Sequence, residues 1–238
     1  MIIKVLHSDS QDYHITQTDA DYQAEWHLQP HARVKIIHEQ RSANRHITTR
    51  IKCILQEGAR LELILLIFGG EESTLHIDLE LHDRSQALVK GAYALHQTQK
   101  SNIRVTQHHK GCLSESQVII NGVATDAACI DYAGIITIEL NAIKSIAQQE
   151  NKTILWSQKA RAQSVPSLEV KTNDVQCAHG SAIGYLNKDH LWYAQTRGMS
   201  SVQAQKLLLK SFFCQTLPDS IDGTMIEELT SKIIGSQE

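Results

Sequence analysis

From about Val34 to Val175, apolar and polar residues alternate with a period of two, the pattern of strands that bury one face. "RLELILLIF" runs into Gly69-Gly70, and "STLHIDLELHD" follows with Leu75, Ile77, Leu79 and Leu81 on one face. "ALVKGAYAL", "NIRVTQ", "SQVIINGVA" and "GIITIEL" continue the series, and glycines at positions 58, 69, 70, 91, 111, 122 and 134 separate the runs as turns do. No proline lies between Pro30 and Pro166. That suits a long region of laddered strands, because proline has no N–H to give to a ladder. The runs recur at roughly 10 to 12 residues without a tight sequence repeat, a spacing that fits a sandwich, a barrel or a β-helix.

After Arg197 the period changes. "GMSSVQAQKLLLKSFFCQTL" places Val202, Leu208, Leu209, Phe212 and Phe213 at helical spacing, with Ser200 or Ser201 as N-cap and Pro218 closing the segment. "DSIDGTMIEELTSKIIG" predicts a second amphipathic helix with Ile221, Met225, Ile226, Leu229 and Ile233 on one face and Gly235 as its stop. The expected organisation is therefore a mainly β core over residues 1–196, its first 25 or so residues ambiguous, and a small C-terminal α-helical domain over 197–238. Arg197-Gly198 reads as the strand-to-helix junction, with the glycine permitting a tight turn and the arginine bonding freed carbonyls.

The chain has 238 residues, enough for one sizeable core or a core with a small appendage. Its formal net charge of -3 leaves no electrostatic footprint for nucleic acid. No apolar run approaches the roughly 20 residues that span a bilayer, and the N-terminus lacks a signal-peptide pattern, so a cytoplasmic protein without a membrane partner is expected. The five cysteines, Cys53, Cys112, Cys129, Cys177 and Cys214, are widely spread with no CxxC, which predicts reduced thiols rather than a disulfide framework.

One stretch carries candidate chemistry. "DVQCAHGSAIGYL" places Cys177 two residues before His179, and residues two apart on a strand share a face. Thiolate and imidazole are both good ligands for iron or an iron–sulfur cluster. Two ligands do not close a site, so a partner chain would have to supply the rest; Gly180 and Gly184 would let another backbone approach. The bland alternative is a buried thiol beside one of thirteen histidines. Cys53, Cys112, Cys129 and Cys214 read as structural, His108-His109 as a solvated turn, Phe212 and Phe213 as core, and Asp126 and Asp131 as solvated carboxylates without a catalytic partner.

The block "HHKGCLSESQVIINGVATDAACIDYAGIITIELNAIKSIAQQENKTILWS", with the ordered series "PSLEVKTNDVQCAHGSAIGYL", "LWY" and "RGMSSVQAQKLLLKSFF", resembles the SufB/SufD family, the scaffold proteins of the Suf iron–sulfur cluster assembly system. The likeness covers about His108 to Leu217. Cys177, His179 and Gly180 match the Cys-x-His-Gly of the SufD-like branch, and "SQKARAQSV" lacks the additional cysteine of the SufB-like branch. The resemblance implies a right-handed β-helix core and a non-catalytic scaffold role. It implies pairing with a SufB-like chain or with itself through the last strands, and docking of the SufC-type ABC ATPase on the C-terminal helices, where Arg197, Gly198, Leu208 and Phe212 become contact residues. It also implies that His179, with Cys177, lends ligands to a transient Fe–S cluster shared at the subunit interface. No GxxxxGKS/T loop is present, so nucleotide would be bound by the ATPase and not by this chain. The family's helical N-terminal region has no counterpart before the first strand-like residues. Two other readings remain: a shortened adaptor that binds the ATPase without cluster chemistry, and a β-helix carbohydrate-active enzyme, for which no groove-lining carboxylate cluster is evident.

Overall fold

A computed structural model describes residues 2–7, 10–42 and 45–235. The last three residues of the expected 197–238 unit lie outside these. Fourteen strands alternate between two sheets. The odd strands are β1 (Ile2–Leu6), β3 (Asp21–Leu28), β5 (His46–Leu55), β7 (Glu72–Leu81), β9 (Lys100–His109), β11 (Cys129–Ile138) and β13 (Arg161–Val170), and they stack in that order. The even strands are β2 (Ser10–Gln17), β4 (Arg33–Gln40), β6 (Arg60–Ile67), β8 (Gln86–Leu95), β10 (Glu115–Ala124), β12 (Ile146–Leu155) and β14 (Gln176–Tyr185), and they form the second stack. Every pairing is parallel and joins strands one coil apart, such as Thr74 with Asn102 and Gln86 with Glu115. The fold is a parallel β-solenoid, as the resemblance implied. The ambiguous N-terminus contributes three strands. From β5 to β9, strand starts at 46, 60, 72, 86 and 100 lie 12 to 14 residues apart, wider than expected, because ten-residue strands are joined by turns of several residues.

The repeat resides in the backbone. His31, Gly58, Arg84, Leu113 and Lys144 all have φ between 55° and 66° and occupy the equivalent turn of successive coils. Each N–H in this column bonds the next coil: His31 to Glu57 O, Gly58 to Asp83 O, Arg84 to Cys112 O, Leu113 to Ile143 O. The stack holds non-glycine residues in the left-handed region by giving each a fixed partner, so glycine is not required and no motif marks the repeat.

Inside the coil, Trp26, Leu28, Ile36, Leu55, Leu63, Ile77, Val89, Val105, Ile120 and Ile130 form the apolar core. Towards β13 and β14 the interior turns polar. Buried His109, at the end of β9 and not in a solvated turn, bonds Ser114 and Ser116 at 2.7 Å each. Its neighbour His108 points the other way and pairs with Glu139. Near β1 and β2, buried His38 bonds Gln17. Burial lowers both His38 and His109 to a pKa of about 4.

Three helices follow, one more than expected: α1 (Lys188–Thr196), α2 (Ser201–Thr216) and α3 (Gly223–Ile234). Helices α2 and α3 cover the outer face of the even sheet, packing Leu209, Phe213, Leu229 and Ile233 on Ile64, Leu66, Phe68, Ala92, Ala94 and Val123. The alanines let the helices sit close. Arg41 at the end of β4 adds a forked ion pair to Glu228 of α3 (2.8 and 2.9 Å) and lies over the Phe68 ring. Ser200 caps α2 in a capping box with Gln203. The Arg197-Gly198 junction joins two helices rather than a strand and a helix, because α1 intervenes. Gly198, at φ 91°, makes the turn expected of it, but the Arg197 guanidinium lies on Tyr193 while its backbone N–H closes α1.

The two buried histidines set an acid limit. Their folded pKa lies below the ordinary 6.5, so between about pH 6.5 and 4 the unfolded chain takes up protons that the folded state refuses. Stability is therefore full above the window and falls as pH drops through it, by on the order of 2 kcal/mol per histidine at pH 5. Urea denaturation at pH 7.5, 6.0 and 5.0 should show a smaller fall for His109→Gln than for the parent; identical slopes would contradict a buried neutral His109.

Candidate functional site

The solenoid ends on β13 and β14, which have no further strand beside them among the described residues. Register fixes which side chains face the interior. On β13, Ser164, Leu168 and Val170 lie on buried Tyr132, Ile136 and Ile138 of β11. On β14, Cys177, His179, Ser181, Ile183 and Tyr185 lie on Ala147, Gln149, Asn151, Thr153 and Leu155 of β12. The same positions that form the core one coil earlier are here uncovered: Leu168, Val170, Ile183 and Tyr185 are exposed. Pro166 sits mid-strand in β13, an edge position where its missing N–H costs no ladder bond.

Cys177 and His179 share this inward-facing side, as their spacing predicted. Cys177 is half-buried against Ile136, Ile138, Ala142 and Ala147, while His179 is exposed. No group of three or more His, Cys, Asp or Glu side chains that could hold a metal ion exists among the described residues. The pair offers two ligands on an open surface, and any metal-bearing species held there needs further ligands from elsewhere. A Cβ added at Gly180 or Gly184 would meet nothing within 4 Å, so these positions face open space.

Beneath the pair lies a polar layer that motif reading missed. Gln149 is 3% exposed and Tyr132 2% exposed, yet among the described residues Gln149 Nε2 and Tyr132 Oη have no hydrogen-bond partner, and neither has Ser164 Oγ. The only signal in the sequence is the loss of alternation in "AQQENKT", where polar residues occupy inward positions.

The second set of expected contact residues lies at the helices. Arg197 and Gly198 are exposed, Leu208 is half-buried, and Phe212 is partly buried against the core beneath α2. The apolar side chains flanking the junction are outside: Trp192 is 67% exposed, Tyr193 57%, and Met199 and Val202 are also exposed. Val202 thus departs from the buried helical face on which its spacing placed it. Between α1 and the ends of β12 and β14, a cavity of about 660 Å³ is lined by Trp156, Tyr185, Lys188, Leu191 and Gln205, among others.

The cysteines are all free, as expected. Cys53 is fully buried and its thiol is pushed up by that burial. Cys214, read as structural, is instead exposed on the solvent side of α2. Asp126 serves its turn by accepting from the Gln97 backbone N–H at 2.7 Å. No described helix is long and apolar enough to cross a membrane.

Comparison with known proteins gives the same direction. A family model described as "SUF system FeS cluster assembly, SufBD core domain" matches residues 5–212. The iron-sulfur cluster assembly protein SufD of Escherichia coli (strain K12) is 25% identical over 127 residues, 53% of this chain and 30% of that protein. SufD of Bacillus subtilis (strain 168) is 32% identical over 114 residues, 48% of this chain and 26% of that protein. SufD of Plasmodium falciparum (isolate 3D7) is 25% identical over 177 residues, 74% of this chain and 12% of that protein. The chain therefore spans less than a third of the length of each of these relatives.

Thiol exposure gives a direct check on this geometry. Iodoacetamide treatment of the native protein, followed by peptide mass spectrometry, should modify Cys214 readily and Cys53 only after denaturation, because thiolate reactivity follows exposure and pKa. Early modification of Cys53 would contradict the placement of β5 in the core.

Proposed function

The chain belongs to the SufBD core-domain family of the SUF system, and we propose that it acts in iron–sulfur cluster assembly as a SufD-like, non-catalytic scaffold subunit. In this reading its open last coil docks a SufB-like partner and its helices dock the SufC-type ATPase. The observation that carries it is the last coil itself. Leu168, Val170, Ile183 and Tyr185 are core positions left bare, resembling a domain core cut in half, as obligate interfaces do. A second solenoid adding its own strands to β13 and β14 would satisfy both the free ladder and the bare apolar positions.

Cys177 and His179 would then lie at the joint. Each supplies a ligand type suited to iron, and the partner would complete the set around the cluster, which is the cargo of the assembly. The protein's contribution is placement. A β-strand fixes two side chains on one face, and the adjacent apolar contacts of Cys177 restrain its rotamer. The exposed Trp192 and Tyr193, with Met199, Val202 and the Arg197-Gly198 turn, supply an apolar and cationic surface of the kind that anchors protein partners. Arg197 stacked on Tyr193 is a preformed part of that surface.

Co-expression with the SufB-like and SufC-type proteins of the same organism separates the two surfaces. Trp192→Glu with Tyr193→Glu should lose the ATPase and keep the scaffold partner, whereas Ile183→Lys with Leu168→Lys should do the reverse. His179→Ala should keep both partners and abolish cluster maturation. Failure of the parent chain to capture either partner, with all proteins folded, would contradict the scaffold reading.

A further inference from the structure

A continuous hydrogen-bonded chain runs through the solenoid interior towards the open coil. Ser145 Oγ lies 2.8 Å from Ser114 Oγ, which lies 2.7 Å from His109 Nδ1. His109 Nε2 lies 2.7 Å from Ser116 Oγ, which donates to Gln107 Oε1 at 2.6 Å. Gln107 Nε2 then donates to Gln149 Oε1 at 3.2 Å. These donors fix one another. Because the single Ser116 hydroxyl hydrogen goes to Gln107, Ser116 accepts from His109 Nε2–H, while Ser114 Oγ beside His109 Nδ1 donates to Gly111 O at 2.9 Å. Burial keeps His109 neutral at neutral pH, with its hydrogen on the Nε2 that faces Ser116. The chain therefore delivers Gln149 with its oxygen turned inward and its NH₂ as the free terminus.

That terminus has no partner among the described residues although Gln149 is 97% buried, its 3% exposure being nearly nil. Leaving such a buried donor without an acceptor is destabilising. The position is held open by Gly134, where an added Cβ would overlap the Gln149 amide. In register, the residues directly above are Pro166 over Gly134 and His179 over Gln149. The hydroxyls of Tyr132 and Ser164, themselves in register, are also unpartnered among the described residues. A buried, oriented donor that lies one strand below the exposed histidine and lacks an acceptor in its own chain is set up for an acceptor arriving at the joint.

We propose that the Gln149 amide N–H is a hydrogen-bond donor to a sulfur of the cargo held at Cys177 and His179, an inference that rests on the cluster-assembly reading above. Sulfide and thiolate sulfurs in such clusters are acceptors, and hydrogen bonds to them raise the reduction potential by stabilising the more negative, reduced state. The polar chain from Ser145 to Gln107 is the positioning device, and Gly134 supplies the space.

The test uses the full chain co-purified with its SufB-like and SufC-type partners and loaded anaerobically with ferrous iron and sulfide. Gln149→Leu removes the donor. Gln149→Glu keeps the oxygen that accepts from Gln107 while replacing the donor by an acid. Gly134→Ala displaces the amide without altering it. Gln148→Glu, on the exposed outer face of the same strand, is the control, and circular dichroism verifies folding. The potential, read by anaerobic dye titration, should become more negative in the order parent, Gln149→Leu, Gln149→Glu, with Gly134→Ala following Gln149→Leu and Gln148→Glu matching the parent. Iron retention through gel filtration should fall several-fold in the same order. If the folded Gln149 variants match the parent in potential and iron retention while His179→Ala loses the cluster, the donor role is overturned and the scaffold reading stands. If His179→Ala and Cys177→Ala load as fully as the parent, or if the parent does not load, the ligand reading falls and the donor role falls with it.

Discussion

Each strand in this protein is hydrogen-bonded to the strand one coil away and not to its neighbour in sequence. All else follows from that ladder. A parallel stack has no internal means of ending: every coil presents the next with a full row of free N–H and C=O groups and a row of inward side chains. The coils between the two ends satisfy one another. The last coil cannot, and its exposed Leu168, Val170, Ile183 and Tyr185 are the direct result. Cys177 and His179 stand on this same open coil, so in the proposed function a docking edge and two ligands would coincide there.

The ladder also explains why the interior can change character along its length. Stacked positions need only share a face, so apolar Trp26, Leu63 and Ile77 give way to Gln107, His109, Ser116 and Gln149 without a break in the backbone. Many of these polar groups are tolerated because they bond one another, while the Gln149 amide N–H and the Tyr132 and Ser164 hydroxyls have no partner among the described residues. The helices are bound by a different logic. They cover the outer face of the even sheet, where Ala92 and Ala94 permit close approach, and leave α1 with Trp192 and Tyr193 outside.

The strands were legible because a half-buried strand must alternate, and the runs around Leu75–Leu81 and Ile135–Ile138 do so plainly. The solenoid itself was not legible from periodicity, since a sandwich would alternate equally well; only the ordered motif from Pro166 to Phe213 pointed to stacking. Its repeat was hidden because the turn column needs a left-handed backbone and not a particular side chain, and His31, Arg84, Leu113 and Lys144 serve as readily as Gly58. Helix α1 escaped notice because just one of its residues, Ala194, is buried, so it carries no apolar stripe. Cys177 and His179 were found by spacing. Gln149 was not, because an inward glutamine between strands looks like any surface residue until its neighbours are known.

In the proposed assembly, β13 and β14 form the joint with a second scaffold chain. Hydrogen–deuterium exchange of this chain, alone and in complex with its SufB-like partner, tests it most directly. Free ladder groups exchange with solvent, and a strand added beside them protects them. A joint there should slow exchange in peptides spanning residues 161–170 and 176–185 on complex formation and leave the coils from β3 to β8 unchanged. Protection confined to other strands, with 161–170 and 176–185 exchanging as fast as in the free chain, would contradict it.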